Sequence, residues 1–310
     1  MKWKKVGRII KPEDFDFEWM SSHAQNPFAE HVGEDLFKIH FASRDKLNRS
    51  RGGYILIDIT KPSEILEITK YPTLELGDRG CFDDSGAMPS CIVDCDDKKY
   101  LYYLGWTQAK TVPFLFFIGL AISEDNGKTY KKYSKAPIFG RTFHDPYLTA
   151  MPWIIREDGV WKMWYVSCTG WQEESIDKPN SKNEHFYHIR YATSNDGISW
   201  VSDGTVCIDF VDKEYAIARP VVYKESEIYK MWYCYRGGND TYRAGYAESD
   251  DGINWNRMDN IVGIDVSDND WDSGMICYPS VFEHKKQKYM LYNGGNNYGE
   301  NGTGLAILES

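Results

Sequence analysis

Several features that would direct this chain to a membrane or to nucleic acid are missing from its 310 residues. No run of about 18 apolar residues occurs, so we expect no transmembrane helix and no membrane partner. Lys and Arg number 36 against 46 Asp and Glu, which argues against nucleic acid or an anionic membrane surface as a partner. The N-terminus turns acidic from Glu13 onward and lacks the apolar core of a signal peptide.

Cysteine and histidine are few and scattered. The seven cysteines show no CxxC spacing, and the seven histidines show no HExxH pattern. The sequence therefore predicts neither a metal site nor a cofactor. An odd number of cysteines without a disulfide framework is typical of reduced thiols, so we expect a cytoplasmic protein.

Aromatic side chains are abundant, at 15% of the residues, and they favour strands. They recur in a repeat with a proline inside a short apolar run, a polar turn, and a strand rich in Trp and Tyr. Four clear copies are AMPSCIVDCDDKKYLYYLGW, AMPWIIREDGVWKMWYVSCTGW, ARPVVYKESEIYKMWYCYRGG and CYPSVFEHKKQKYMLYNGG. A weaker first copy is QNPFAEHVGEDLFKIHFASRD.

The repeat carries one marker proline per unit, at intervals of 59 to 68 residues: Pro27, Pro89, Pro152, Pro220 and Pro279. A unit of this length holds four short strands, which is the size of a propeller blade. The sequence therefore predicts an all-β fold, a single five-bladed β-propeller, with one domain over residues 1–310.

Two further patterns support this fold. The segments GLAISEDNGKTYKKY, IRYATSNDGISWVSD and AGYAESDDGINWNRMD share a turn of Ser, Asp, Asn and Gly. We interpret these aspartates as turn residues rather than catalysts. The C-terminal GLAILES matches a third strand and the N-terminal WKKVGRII a fourth, so the first strand is expected to complete the last blade and close the ring.

In a propeller, the segments before each first strand and after each second strand meet at one mouth of the central funnel. The segments after the second strands are ASRD, GWTQ, TGWQEE, RGGND and GGNN. Polar groups suit sugar hydroxyls and indole rings suit the apolar face of a pyranose. The candidate substrate-binding residues are His23, Asn26, Trp106, Arg141, His144, Trp171, Arg219 and Arg236. Either tryptophan could equally be a packing residue.

Acidic residues at the same mouth are candidates for acid–base chemistry, because glycoside hydrolysis ordinarily needs two carboxyl groups. The catalytic candidates are Asp84, Asp145, Glu214 and Asp272. We prefer Asp145 and Glu214 as the pair, with Asp84 tuning a pKa by like-charge proximity. A turn or capping role is the alternative for each of them.

The five Pro-marked units resemble the arabinanase, invertase and levansucrase group of glycoside hydrolases and the related β-mannoside phosphorylases. That resemblance implies carboxylates beside three of the marker prolines, but Asn26, Met151 and Ala218 occupy those places. A nearby Asp145-Pro146 pair in FHDP is similar to the FRDP of invertases. An amide cannot act as a carboxylate nucleophile or base.

The leading hypothesis is a carbohydrate-active enzyme that cleaves or transfers a glycosyl group at the funnel. The alternative is a saccharide-binding propeller that has lost the hydrolase acids. In both cases the partner is a mono- or oligosaccharide, neutral or anionic, since arginines share the rim with the acids. A protein-interaction propeller ranks last because the predicted rim is polar.

Overall fold

The computed structural model describes residues 1–172, 184–238 and 241–309. Within these ranges the secondary structure consists of twenty strands and two single-turn 3-10 helices, Pro12–Asp14 and Asp259–Ile261. The all-β class predicted from the aromatic, alternating segments is confirmed.

The strands follow one another along the chain. In order they are β1 Trp3–Ile10, β2 Ser22–Gly33, β3 Leu36–Arg44, β4 Ser50–Asp58, β5 Ile65–Ile68, β6 Gly86–Cys95, β7 Lys98–Gln108, β8 Phe114–Ser123, β9 Lys131–Lys132, β10 Thr149–Glu157, β11 Val160–Trp171, β12 His185–Ser194, β13 Val206–Ile208, β14 Glu214–Glu225, β15 Ile228–Gly237, β16 Arg243–Ser249, β17 Asn256–Arg257, β18 Met275–His284, β19 Gln287–Gly295 and β20 Asn301–Leu308.

Consecutive strands pair in antiparallel groups of four. The groups are β2–β5, β6–β9, β10–β13 and β14–β17, and a last group joins β18, β19 and β20 to β1. The first strands β2, β6, β10, β14 and β18 contact one another in a closed ring. Because the pairing is antiparallel, the start of each first strand lies beside the end of its second strand, as in the pair Gly86 and Trp106.

The N-terminal strand belongs to the last group. It pairs with β20 from Trp3 opposite Leu308 to Ile10 opposite Thr303. The two ends of the chain are thus held in one sheet, and β20 is not left as a free edge.

Apolar clusters lie between neighbouring strand groups. The cluster between the third and fourth groups joins Trp164 and Ile189 to Ile217 and Met231, and similar clusters fill the other interfaces between groups. Each group therefore buries both of its faces against neighbours, which explains how short four-stranded sheets acquire a stable core.

Every first strand bulges at its marker proline. The strand register shifts next to each of these prolines, because proline has no N–H to donate to the ladder. In four of the five strands the preceding residue has φ between 48° and 58°: Asn26, Met151, Arg219 and Tyr278. Non-glycine residues rarely adopt this conformation, and a bulge is a common way to re-aim a side chain.

Arg219 uses this conformation to fill the space between the first strands. Its side chain is fully buried, and Nη1 and Nη2 donate to Oγ and the carbonyl oxygen of Ser90 at 2.7 and 2.9 Å. Nη2 also donates to the carbonyl of Pro27 at 3.3 Å, and the guanidinium carbon lies 5.4 Å from the centre of the Trp153 ring. One side chain from β14 thereby binds β2, β6 and β10.

No helix among the described residues has the length and apolar character needed to cross a bilayer.

We predict that the strand β1 contributes directly to stability. Trp3 is 6% exposed and its Nε1 donates to the carbonyl of Val262 at 2.9 Å, so Trp3→Ala should lower the free energy of unfolding by about 3–5 kcal/mol. Val6 in the same strand is 43% exposed, and Val6→Ala should cost less than about 1 kcal/mol. Urea titration measures the free energy of unfolding of both variants. A loss for Trp3→Ala as small as the one expected for Val6→Ala would contradict a stabilising role of Trp3 in β1.

Candidate functional site

A cavity of about 440 Å³ lies where the five first strands meet. Residues from β2, β6, β10, β14 and β18 all contribute to its wall, and the polar groups that line it are Gln25, Asn26, Arg44, Asn48, Gln108, His185, Tyr187, Arg236, Tyr242 and Tyr278. Pockets of about 300–1,000 Å³ are typical of small-molecule sites. The size suits a ligand of one or two sugar rings.

Aromatic side chains surround this cavity. We name as the aromatic collar Trp106, Phe114, Phe116, Trp171, His185, Tyr187, Tyr242 and Tyr278. On one side, the ring centre of Trp106 is 6.3 Å from that of Phe114, which lies 5.3 Å from Trp171. Trp171 stacks on His185 at 4.8 Å with an interplanar angle of 26°. The third strands β8 and β12 supply the phenylalanines and the histidine.

The other side of the collar consists of tyrosines. The ring of His185 lies 4.6 Å from Tyr187, whose hydroxyl group is hydrogen-bonded to that of Tyr242. The ring centre of Tyr242 is 6.1 Å from that of Tyr278. Flat rings and hydroxyl groups alternate around one space, which is the combination that a pyranose ring with its hydroxyls requires.

Four buried polar atoms of the cavity wall have no hydrogen-bond partner among the described residues. They are Oδ1 of Asn26, Nε1 of Trp106, Nε of Arg44 and Nε of Arg236. Buried polar groups in proteins nearly always have partners, and an unpaired one costs about 1–3 kcal/mol. Three donors and one acceptor of the wall residues are thus without a partner in the described part of the protein.

Each arginine of the wall lies close to a histidine. Burial, with the nearby Arg236 cation, lowers the pKa of His185 to about 4. Burial, with the Arg44 cation, likewise lowers the pKa of His23 to about 4. Both imidazoles are therefore neutral at physiological pH, and the positive charge of the site belongs to the arginines.

Three of the predicted substrate-binding residues line the cavity: Asn26, Trp106 and Arg236. Trp171 belongs to the collar, where it stacks on His185. His23 is close to Arg44 and hydrogen-bonded to Ser22. These five predicted residues therefore lie in or beside one site.

The other predicted binding residues do not line the cavity. Arg219 is fully buried between the first strands. Arg141 is exposed, with its Nε donating to the carbonyl of Tyr147 at 2.8 Å. His144 is half-buried, and its carbonyl accepts a hydrogen bond from Arg190. Arg219 therefore links the first strands to one another. Arg141 and His144 lie in the segment 133–148, between β9 and β10.

The structure gives Asp145 an environment that differs from the catalytic one predicted for it. It has no exposed surface and accepts hydrogen bonds from the hydroxyls of Thr142, Tyr165 and Ser167 at 2.7, 3.1 and 2.6 Å. Arg190 lies 3.4 Å from Oδ1. A carboxyl group that acts on a glycosidic bond must reach the substrate, and this one is enclosed by its own partners.

The same arrangement recurs, which explains why acids gather before the first strands. We name the pairs Asp83–Tyr103, Asp145–Tyr165 and Asp272–Tyr292 the Asp–Tyr clasps. In each pair, the tyrosine hydroxyl donates to the aspartate that lies 20 residues earlier in the chain. Lys132, Arg190 and Lys5 supply the cations at 2.6, 3.4 and 2.7 Å. Asp272, a predicted catalytic residue, is thus a clasp residue with 1% exposure.

Glu214 and Asp84 also have partners outside the cavity. Both carboxylate oxygens of Glu214 accept from Arg257, at 2.7 and 2.8 Å. Glu214 lines a shallow groove that shares Arg236 with the cavity. Asp84 accepts from the backbone N–H of Gly80 at 2.9 Å in a turn. The predicted pair of Asp145 and Glu214 does not face a common space.

The positions that the family resemblance singles out do converge. Asn26, Met151 and Ala218 all line the cavity, so the fold brings together the three places where the resemblance implies carboxylates. No Asp or Glu is among the described residues that line the cavity. Glu184 contacts the wall through Arg236, since its Oε2 lies 2.8 Å from Nη2 of that arginine.

Sequence reasoning missed several lining residues, among them Arg44, Phe114, His185, Tyr242 and Tyr278. Arg44, in the segment ASRD, is the last residue of β3. Tyr278 directly precedes a marker proline, as Asn26 does. Those repeat positions were a usable signal. Phe114 and His185 begin third strands, where the repeat carries no marker.

Among the described residues there is no group of three or more His, Cys, Asp or Glu side chains that could hold a metal ion. Glu173 and Glu174 of the segment TGWQEE, and Asn239 and Asp240 of RGGND, lie outside the described residues.

Comparison with known proteins gives one close family and one shared fold. No family model matches the sequence. The uncharacterized protein Rv1502 of Mycobacterium tuberculosis (strain ATCC 25618 / H37Rv) and the uncharacterized protein MT1551 of strain CDC 1551 / Oshkosh are each 41% identical to the chain over 311 residues, with full coverage of both sequences.

The structural likenesses are to glycoside hydrolases at low identity. One glycoside hydrolase matches with a TM-score of 0.77 and 14% identity, covering 99% of this chain and 91% of the other. A thermostable family-43 glycoside hydrolase has a TM-score of 0.69 and 16% identity, with 93% and 90% coverage. An exo-1,5-α-L-arabinanase from a bovine ruminal metagenomic library has a TM-score of 0.61 and 14% identity, with 94% and 95% coverage. The predicted resemblance to propeller glycoside hydrolases is confirmed in the fold.

We predict that Asp145 acts in stability. Asp145→Ala removes a buried carboxylate and leaves Arg190 and three hydroxyls without it, so the free energy of unfolding should fall by about 3–5 kcal/mol. Asp84→Ala, at a half-buried turn residue, should cost about 1 kcal/mol or less. Chemical denaturation compares the two variants. Unchanged stability of Asp145→Ala would restore the catalytic interpretation.

We predict an acid-sensitive contribution from His185. Its pKa of about 4 lies below the value of about 6.5 in an unfolded chain. Between these values the unfolded chain binds the extra proton, so the free energy of unfolding falls as the pH is lowered through that window. His185→Gln should lessen the loss between about pH 7 and about pH 5 by roughly 2 kcal/mol. Urea midpoints at the two pH values test this, and an undiminished loss would contradict it.

Proposed function

The chain belongs to the same family as the uncharacterized protein Rv1502 of Mycobacterium tuberculosis, and we propose that it binds a saccharide in the cavity at the centre of a five-bladed β-propeller. The five strand groups would be the blades of one domain over residues 1–310, closed by the pairing of β1 with β20. The likeness to propeller glycoside hydrolases supports this architecture.

One observation carries the proposal: an aromatic collar encloses a cavity whose wall has unpaired, buried hydrogen-bonding atoms. Trp106 combines both properties, since its ring is part of the collar and its Nε1 has no partner among the described residues. Asn26 offers an acceptor at Oδ1 while its Nδ2 is held by the carbonyl of Pro89 at 2.7 Å. A sugar ring can stack on the first group and hydrogen-bond to the second.

The wall supports recognition better than carboxylate-based hydrolysis. A glycosidase of the usual kind places two carboxyl groups about 5–9.5 Å apart across the scissile bond. Asn26, Met151 and Ala218 occupy the places that the resemblance assigns to acids, and all three line the cavity. A saccharide bound there would meet an amide, a thioether and a methyl group at those places.

A carbohydrate-active enzyme that cleaves or transfers a glycosyl group is the second candidate. Glu184 favours it, because this carboxylate lies 2.8 Å from Arg236 of the cavity wall. Glu214, in the groove that shares Arg236, would be the other carboxyl group. The seven free thiols support a reducing, cytoplasmic location for either function.

The test is calorimetric titration with a panel of mono- and disaccharides. We expect at least one to bind, and Trp106→Ala to weaken it at least about tenfold, which corresponds to about 1.4 kcal/mol. Tyr71→Ala is the matched control, since Tyr71 is 80% exposed and is not part of the cavity wall. Its affinity should equal that of the unmodified chain.

The same panel separates the two candidates when it is also assayed for release of reducing sugar. Binding without turnover supports the saccharide-binding protein. Turnover that is lost in Glu184→Gln, with binding retained, establishes the enzyme instead. Absence of binding by every member would contradict the proposed site.

A further inference from the structure

The cavity wall carries positive charge that its own side chains do not balance. Arg44 and Arg236 line it, and no Asp or Glu does so among the described residues. Arg236 has a carboxylate partner in Glu184 at 2.8 Å. Arg44 has none: in the described part of the chain its side chain donates only to the amide oxygen of Asn48, at 3.1 Å.

Other enclosed arginines of this protein have partners. Arg257 binds Glu214 and Asp259, and Arg190 lies beside Asp145. Arg219 has no carboxylate, but its terminal nitrogens are taken up by Ser90 and Pro27. Arg44 differs because, among the described residues, it has no carboxylate partner and only one hydrogen-bond acceptor, the neutral amide oxygen of Asn48, while its buried Nε has no partner.

Leaving a guanidinium in this state is unfavourable. Burial lowers the pKa of Arg44, which reflects the loss of water around the cation. The Cζ atom lies 5.3 Å from the centre of the Trp106 ring, and a cation–π contact offsets only part of this cost. The planar fork of arginine matches carboxylate and phosphate oxygens in two hydrogen bonds.

We propose that the saccharide bound in the cavity carries an anionic substituent, a carboxylate or a phosphate, and that Arg44 binds this substituent. The proposal rests on the proposed saccharide site and adds the class of its ligand. With the sugar ring against Trp106, an anion attached to that ring lies within reach of the guanidinium over the same indole. Arg236, already paired with Glu184, adds a second cation to the wall.

The test compares sugars that differ only in the anionic group. Glucose, glucuronate and glucose 6-phosphate form one set, and galactose and mannose with their uronates and 6-phosphates form two more. Titration calorimetry should show an acidic member of a set binding at least about tenfold more tightly than its neutral parent. Preference for uronates identifies the carboxylate as the source, and preference for the esters identifies the phosphate.

Variants assign the preference to Arg44. Arg44→Met should abolish the difference in affinity between the acidic sugar and its neutral parent. Arg44→Lys keeps the charge without the fork and should retain part of the preference. Arg79→Met removes an equal charge from an exposed turn outside the cavity wall, so it controls for net charge and should bind as the unmodified chain does.

The outcomes separate this inference from the proposed function. Equal affinity for neutral and acidic members would overturn the anionic class and leave the saccharide site standing. An acidic preference that survives Arg44→Met and Arg44→Lys would overturn the role of Arg44. Failure of every sugar to bind would overturn both proposals. A thermal melt of each variant excludes unfolding as the cause of lost binding.

Discussion

The buried guanidinium of Arg219 is the interaction on which the centre of the molecule depends. Removing such a cation from water costs several kcal/mol, and no carboxylate among the described residues accompanies it. Hydrogen bonds to Ser90 and Pro27 and the face of Trp153 offset that cost. Since these partners lie on three other first strands, the cation is satisfied only when the ring of strands is assembled.

The same network holds the cavity wall in place. The carbonyl of Pro27 accepts from Arg219, and Asn26 is the residue directly before it. Ser90 accepts from Arg219 and donates to the carbonyl of Pro152 at 2.8 Å, next to Met151. Asn26 and Met151, two residues of the cavity wall, are thus held by backbone that the guanidinium fixes.

The fold could be predicted from the sequence further than the site could. Marker prolines, aromatic second strands and Ser–Asp–Gly turns are local sequence signals. Because they recur along the chain, they identify the repeat unit and the fold. Asp196 shows the turn signal clearly, because it accepts from the backbone N–H groups of Ile198 and Ser199. Whether an acid faces the cavity is decided by tertiary contacts. Asp145 precedes β10 and Glu214 begins β14, yet Tyr165 and Arg257 take up their oxygens.

The Asp–Tyr clasps show why charge at a repeated position is weak evidence for catalysis. An aspartate 20 residues before a tyrosine recurs in three of the five strand groups. A contact that recurs between groups is explained by what those groups have in common, which is their packing. A ligand site at the axis must instead break the repeat. Arg44, Trp106 and His185 contribute three different side chains to one cavity from three different groups. The departures from symmetry, and the unpaired guanidinium among them, are therefore where the chemistry of this protein is to be sought.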